Sequence, residues 1–269
     1  MPQPTVANRE HEAHGKLPWP PVIVYSLIAV GATGGIAVFM KSAALDMRSP
    51  VWFLLAPLAM WAPALARFVV LRTVDRRFRA TLPLQNFAGV GGHATVVPLA
   101  LPIVVYGTAY RIAWIAGWVY WSPGGGLWTT NSRIALNVLV NASILGTYGT
   151  MTALGEELGW RGYLQPRLDT AGVRGSFLVV GLFWSIYHAP FTLVDWSGTT
   201  AGLAFALAKG LVLDVSLSYL WAQLSFRAKS LWPAVFLHSF HNGVSQWLFP
   251  KFFAGGDETW LGEGGVLPL

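Results

Sequence analysis

Gly175–Leu193 reads GSFLVVGLFWSIYHAPFTL. These 19 residues contain no Asp, Glu, Lys or Arg. As an α-helix rising about 1.5 Å per residue, the run comes close to the ~30 Å thickness of a bilayer's hydrocarbon core. A helix apolar on every side is buried or lies in lipid, and lipid accepts only closed backbone hydrogen bonding. One imidazole stands well inside the run, His188, with Trp184 one turn earlier on the same face.

Working outward, six more runs share this character: Pro20–Met40, Val51–Leu71, Thr95–Tyr120, Ile134–Leu154, Thr200–Gln223 and Ser230–Phe249. The expected fold is therefore all-α, a polytopic transmembrane helix bundle of about 7–8 spans. The link from Arg72 to Ala94 is where a short interfacial helix or an eighth element would fit. Composition agrees: 54% of residues are hydrophobic and 11% charged, against about 25% charged in soluble domains. Many of the 14 Trp stand near ends of apolar runs, as Trp19, Trp52, Trp118, Trp121, Trp128, Trp232 and Trp247 do, the placement of an interfacial aromatic belt.

Residues 1–18 are polar and lack an apolar run with a small-residue cleavage site, so the first span is expected to anchor itself. The expected organisation is a polar N-terminus at 1–18, a region of about three spans at 19–133, a transmembrane core at 134–249 and a tail at 250–269. Arg9, Lys16, Arg72, Arg76, Arg77, Arg79, Arg161, Arg167, Arg174, Arg227 and Lys229 fall on one side of the expected topology, and Lys41, Arg48, Arg133 and Lys251 on the other. The positive-inside rule then puts the N-terminus in the cytoplasm. The net charge of +6 is read as this topology signal, and no nucleic acid partner is expected. The absence of cysteine excludes disulfides and a thiol nucleophile.

Ionisable groups at membrane depth cost ~2.5–3.5 kcal/mol on insertion scales and are read as functional by default. In GEELGWRGYLQPRL, Gly155–Leu168, Glu157 and Arg161 are four apart and can pair on one helix face. Glu156 is turned about 100° away and is freer to face a cavity. One carboxylate partnered and one not is a way to obtain a general base beside an anchor. In LWPAVFLHSFHNGV, Leu231–Val244, His238 and Asn242 share a face, with His241 near, and both need polar partners in the membrane. Lys209 and Asp214 are five apart in the sixth run and suit an internal pair, or Lys209 snorkels; a structural role is favoured for both. Arg67 and Arg111 lie toward span ends and are expected to snorkel. No HExxH helix, G-x-S-x-G elbow, P-loop or dinucleotide fingerprint is present.

Together the three clusters resemble the CPBP family of intramembrane proteases, also called the CAAX-prenyl-protease/Abi family. The resemblance covers Ile134–Phe249. Glu156, Glu157 and Arg161 match its EExxxR motif. Trp184 and His188 match an aromatic four residues before a His, where many members have Phe. His238 and Asn242 match HxxxN. The resemblance implies hydrolysis of peptide bonds in membrane-associated or prenylated peptides, inside the bilayer, in an integral protein of membrane lipid, expected in the cytoplasmic membrane of a prokaryote.

It implies six catalytic positions, Glu156, Glu157, Arg161, His188, His238 and Asn242, with Trp184 and His241 at the substrate. Two mechanisms stay open. In one, without cofactor, Glu156 and His188 activate a water and His238 and Asn242 stabilise the oxyanion, with Glu157–Arg161 as a brace. In the other, Glu156, His188 and His238 hold Zn²⁺. Three helices without short ligand spacing favour the first. A non-catalytic scaffold or immunity protein is the alternative outside enzymology; a transporter is disfavoured because no inverted repeat is seen. Substrate identity and oligomeric state are not written in the chain.

One geometric condition follows. His238 lies ~12 Å and His188 ~20 Å along their spans, while Glu156 falls at the end of the fourth. The three meet only if the fourth span runs longer or tilts, or the fifth begins earlier. The expectation is a fourth helix that continues, bent, past Glu157.

Overall fold

The computed structural model describes residues 19–47, 49–79, 92–122, 139, 143, 145–257, 260–262 and 265–268. The helices are α1 Trp19–Ser42, α2 Trp52–Met60, α3 Ala62–Arg72, α4 His93–Ile115, α5 Thr150–Gly159, α6 Gln165–Thr170, α7 Ser176–Asp195, α8 Thr200–Ala228, α9 Trp232–Asn242 and α10 Phe249–Phe252. Wider, π-helical turns occupy Leu145–Gly149, Trp160–Leu164 and Gly243–Leu248. Such turns are rare and often accompany functional sites. The helical path from Leu145 to Thr170 is unbroken, so the fourth span does continue past Glu157.

The seven expected runs correspond to seven helical stretches among the described residues, and the all-α membrane bundle stands. Five stretches are long and apolar enough to cross a bilayer: Trp19–Ser42, Trp52–Arg72, Ala94–Ile115, Ser176–Asp195 and Thr200–Ala228. The other two, α5–α6 and α9, carry the residues of the first and third motifs and are the most thoroughly buried. Being surrounded by protein rather than lipid is what lets them be polar. The N-terminal 18 residues, the middle of the Arg72–Ala94 link, the start of the fourth run, Arg48, Trp128 and Arg133 lie outside the described residues, as does the expected boundary at residue 133.

Two departures from regular helix are resolved by tyrosines. Pro57 has no N–H for the Phe53 carbonyl and Pro63 none for that of Ala59. In a membrane such oxygens need another donor. The Tyr148 hydroxyl donates to Phe53 O at 2.8 Å and the Tyr187 hydroxyl to Ala59 O at 2.8 Å. The α2–α3 junction at Trp61 is thus pinned to the two helices that carry the first and second motifs. Glycines bring it close. A Cβ on Gly159 would fall 2.3 Å from Pro63 Cβ and 2.5 Å from the Tyr25 hydroxyl, and one on Gly155 2.7 Å from Met60 O. This is the small-residue packing of membrane helices.

α1 packs on α3 and α7, α7 on α8, and α9 on α4, α5 and α8. The main core joins Tyr25, Trp160, Tyr163, Trp184, Tyr187, Trp221 and Leu237 with aliphatic neighbours. At one end, Asp75 beyond α3 accepts from Arg167 Nε at 2.8 Å and from the Tyr163 hydroxyl at 2.9 Å, tying the α3 exit to α6.

A small sheet departs from the purely helical expectation. Strand β1, Val119–Trp121, pairs antiparallel with β2, Phe253–Gly255, in the register Val119↔Gly255, Tyr120↔Ala254 and Trp121↔Phe253. It binds the exit of α4 to the C-terminal region, over a cluster of Tyr110, Ala113, Val119 and Leu261. Trp121 stacks on Phe252 with ring centroids 5.4 Å apart. The aromatics read as an interfacial belt here pair with one another as well.

Candidate active site

Glu156 and Glu157 both point into protein, at 1% and 0% exposure. They are adjacent and diverge by a third of a turn, so each meets a different set of partners. Glu157 Oε1 accepts from Arg161 Nη1 at 3.3 Å, the expected i,i+4 pair, and lies 2.8 Å from His238 Nδ1 on α9. A carboxylate only accepts, so Nδ1 carries a proton, and Nε2 is the nitrogen not engaged by Glu157. Arg161 is wholly buried, with its guanidinium carbon 4.9 Å from the Trp184 ring and 5.1 Å from the Trp221 ring. Desolvated cation–π contacts of this kind are worth up to ~2 kcal/mol each. Arg161 therefore cannot serve as a loop charge in the topology count, and that asymmetry rests on the other residues.

Glu156 is held differently. Its Oε2 accepts from Trp184 Nε1 at 2.6 Å and from Trp160 Nε1 at 3.2 Å, and its Oε1 from the Tyr187 hydroxyl at 3.4 Å. All three donors are neutral, and among the described residues no cation is hydrogen-bonded to it. So Glu156 is the carboxylate without the arginine, as expected, although it is clasped by aromatic donors rather than free.

His188 is more open, with a side chain 39% exposed. Its ring is 5.5 Å from that of Trp184 and 5.1 Å from that of Tyr187, the residues that hold Glu156. Its Nδ1 lies 3.4 Å from Asp214 Oδ2 on α8. Asp214 is thus engaged by His188, a partner that neither alternative for Lys209 and Asp214 included; Lys209 Nζ lies 5.7 Å from the Phe205 ring centre. His238 stacks on Trp221, 4.8 Å apart and 13° from parallel, and meets Trp184 edge-on at 5.5 Å. Asn242 is half-buried one turn beyond His238. His241 is buried, 3.4 Å from the Tyr106 hydroxyl, and lines an apolar cavity of about 150 Å³ with Leu101, Leu213, Leu217 and Leu237. Arg67 is half-buried and Arg111 exposed.

The three motifs therefore meet around Trp184. They do so because the fourth helix runs on to Thr170, which carries Glu156 and Glu157 level with α7 and α9. Sequence reasoning missed four members of the cluster: Trp160, Tyr187, Trp221 and, as a partner of His188, Asp214. Trp160 had a signal, since it stands four residues after Glu156 just as Arg161 does after Glu157.

Among the described residues no three His, Asp or Glu side chains are grouped to hold a metal ion. No step below passes through a metal.

Residues 137–244 match the family model described as Type II CAAX prenyl endopeptidase Rce1-like. The match spans all three motifs and supports the CPBP/Rce1-like protease family that they resemble. Among curated proteins, none matches the chain.

Proposed function

We propose, from the Rce1-like character of residues 137–244, that this chain is an intramembrane endopeptidase that hydrolyses peptide bonds of membrane-associated or lipidated peptides with a glutamate–histidine-activated water. The observation that carries the reading is the convergence, from three separate helices, of the buried Glu156, Glu157 and His238 with the more open His188 around Trp184. Ionisable groups at such depth are read as functional by default.

In this scheme Glu156 Oε1, which carries only the long Tyr187 contact, takes a proton from water. The oxygen adds to the scissile carbonyl, and His238 Nε2, as the imidazolium paired to Glu157, donates to the oxyanion together with the Asn242 amide. The proton passes through His188 to the amine as the C–N bond breaks. The Glu157–Arg161 pair, clamped between two indoles, keeps His238 in place. Trp184 walls the site and orients Glu156. The apolar cavity at His241 suits a hydrocarbon portion of the substrate.

The proposal is tested with protein purified in detergent and a panel of membrane-anchored peptides, lipidated and not. Wild type is expected to cleave, and Glu156→Ala and His188→Ala to lose about 10²–10⁴-fold in kcat. Variants that cleave like wild type would remove these residues from the mechanism. Activity abolished by exhaustive chelation and restored by Zn²⁺ would favour the metal alternative. Failure of wild type on the whole panel would favour a non-catalytic scaffold.

A further inference from the structure

Asp214 has no part in the scheme above, yet its placement is costly to explain otherwise. α8 is the longest helix and among the most lipid-exposed: in its apolar window only 11% of residues are buried. Its buried residues are Asp214, Ser218, Trp221, Ala222 and Ser225, a single narrow stripe. A carboxylate within an apolar span, 5% exposed, needs a partner. Its Oδ2 lies 3.4 Å from Nδ1 of His188, across the α7–α8 interface.

The backbone is built to bring the two together. A Cβ on Gly181 would fall 2.6 Å from Val215 Cα. Glycine there lets α8 touch α7 one residue from Asp214. His188 follows Gly181 by seven residues, two turns along the same face. Any larger residue at 181 pushes α8 away and lengthens a contact that is already at the limit of a hydrogen bond.

We infer that Asp214 is a positioning residue for His188. Its carboxylate accepts the Nδ1–H, so that the Nε2 lone pair faces the site, and it holds the imidazolium once His188 has taken the proton. His188 then has the same construction as His238, whose Nδ1 is held by Glu157 at 2.8 Å. His188 and His238 each have a carboxylate at Nδ1, while the hydrogen-bond donors to Glu156 among the described residues are two indoles and a phenol. This inference rests on the peptidase reading for its rate effects, but not for its structural content.

The test compares wild type, Asp214→Asn, Asp214→Glu, Gly181→Ala and His188→Ala. Steady-state cleavage is read alongside the ¹⁵N spectrum of histidine-labelled protein, with His188→Ala assigning the signal. Asp214→Asn is expected to lower kcat about 10²-fold with KM within about twofold, and to move the His188 nitrogens toward the other tautomer. Asp214→Glu is expected to recover at least tenfold of the loss, and Gly181→Ala to move the same signal in the same direction. An unchanged His188 signal in Asp214→Asn overturns the inference, whatever the rate does. If Asp214→Asn does not fold, Asp214→Glu and Gly181→Ala carry the same readout, and an unmoved signal in both overturns it. If wild type cleaves nothing, the peptidase reading fails while the His188 signal still decides the positioning.

Discussion

Replacing Arg161 by Met tests whether the brace is an ion pair or merely a packed side chain. The Nη1–Oε1 separation is 3.3 Å at 0% exposure on both sides. At an effective dielectric of about 20 this corresponds to about 5 kcal/mol of gross Coulomb attraction. The guanidinium also lies over two indoles, at 4.9 and 5.1 Å, each worth up to ~2 kcal/mol when dry. Met preserves length and apolar contact but leaves Glu157 buried with His238 as its remaining partner. The net loss is therefore about 3–5 kcal/mol, the range for breaking one side of a buried pair. The double variant Glu157→Gln/Arg161→Met removes the stranded charge and should be less damaging than the sum of the two singles by at least about 1 kcal/mol. Denaturant titration in mixed micelles, followed by tryptophan fluorescence, measures both quantities. A single variant within about 0.5 kcal/mol of wild type, or strictly additive losses, would refute the electrostatic account of the brace.

Gly159→Ala puts a methyl 2.3 Å from Pro63 Cβ and 2.6 Å from Pro63 C, and should lower stability by about 1–3 kcal/mol through overpacking, seen as a drop in thermal midpoint. Tyr187→Phe removes the hydroxyl on Ala59 O and should cost about 1–3 kcal/mol because a membrane-buried carbonyl loses a donor; equal midpoints would count against the proline-repair role. The chain has no cysteine, so single cysteines report topology cleanly. Ala43→Cys should react with an impermeant maleimide on intact cells and Arg77→Cys only after permeabilisation, the reverse pattern placing the N-terminus outside.

The helices were legible because span length and the absence of charge are properties of the sequence itself, as in Gly175–Leu193. The pairing of Glu157 with Arg161 was legible because i,i+4 geometry is local. The condition that the fourth helix continue past Glu157 came from simple lengths, and the chain meets it. What could not be read was which aromatic faces the site. In helices that are apolar all round, periodicity does not single out an inward face, so Trp221 and Tyr187 were indistinguishable from the other aromatics, and Trp160 stood out only by its i,i+4 spacing from Glu156. Arg161 counted as a loop charge for the same reason: the sequence shows its neighbours along the chain but not the two indoles that bury it. Asp214 gave a signal of depth without a partner, since His188 lies 26 residues away. The β1–β2 pair joins two three-residue segments far apart in the chain, too short to show alternation.

The central claim is that water, activated at Glu156, cleaves a peptide bond within the bilayer. It is tested most directly by reconstituting wild type and Glu156→Gln in liposomes with a membrane-anchored peptide in H₂¹⁸O and analysing the products by mass spectrometry. Wild type should yield a new carboxylate carrying one ¹⁸O at a rate at least about 10²-fold above the variant. Equal rates in the two proteins, or no cleavage by wild type at all, would contradict it.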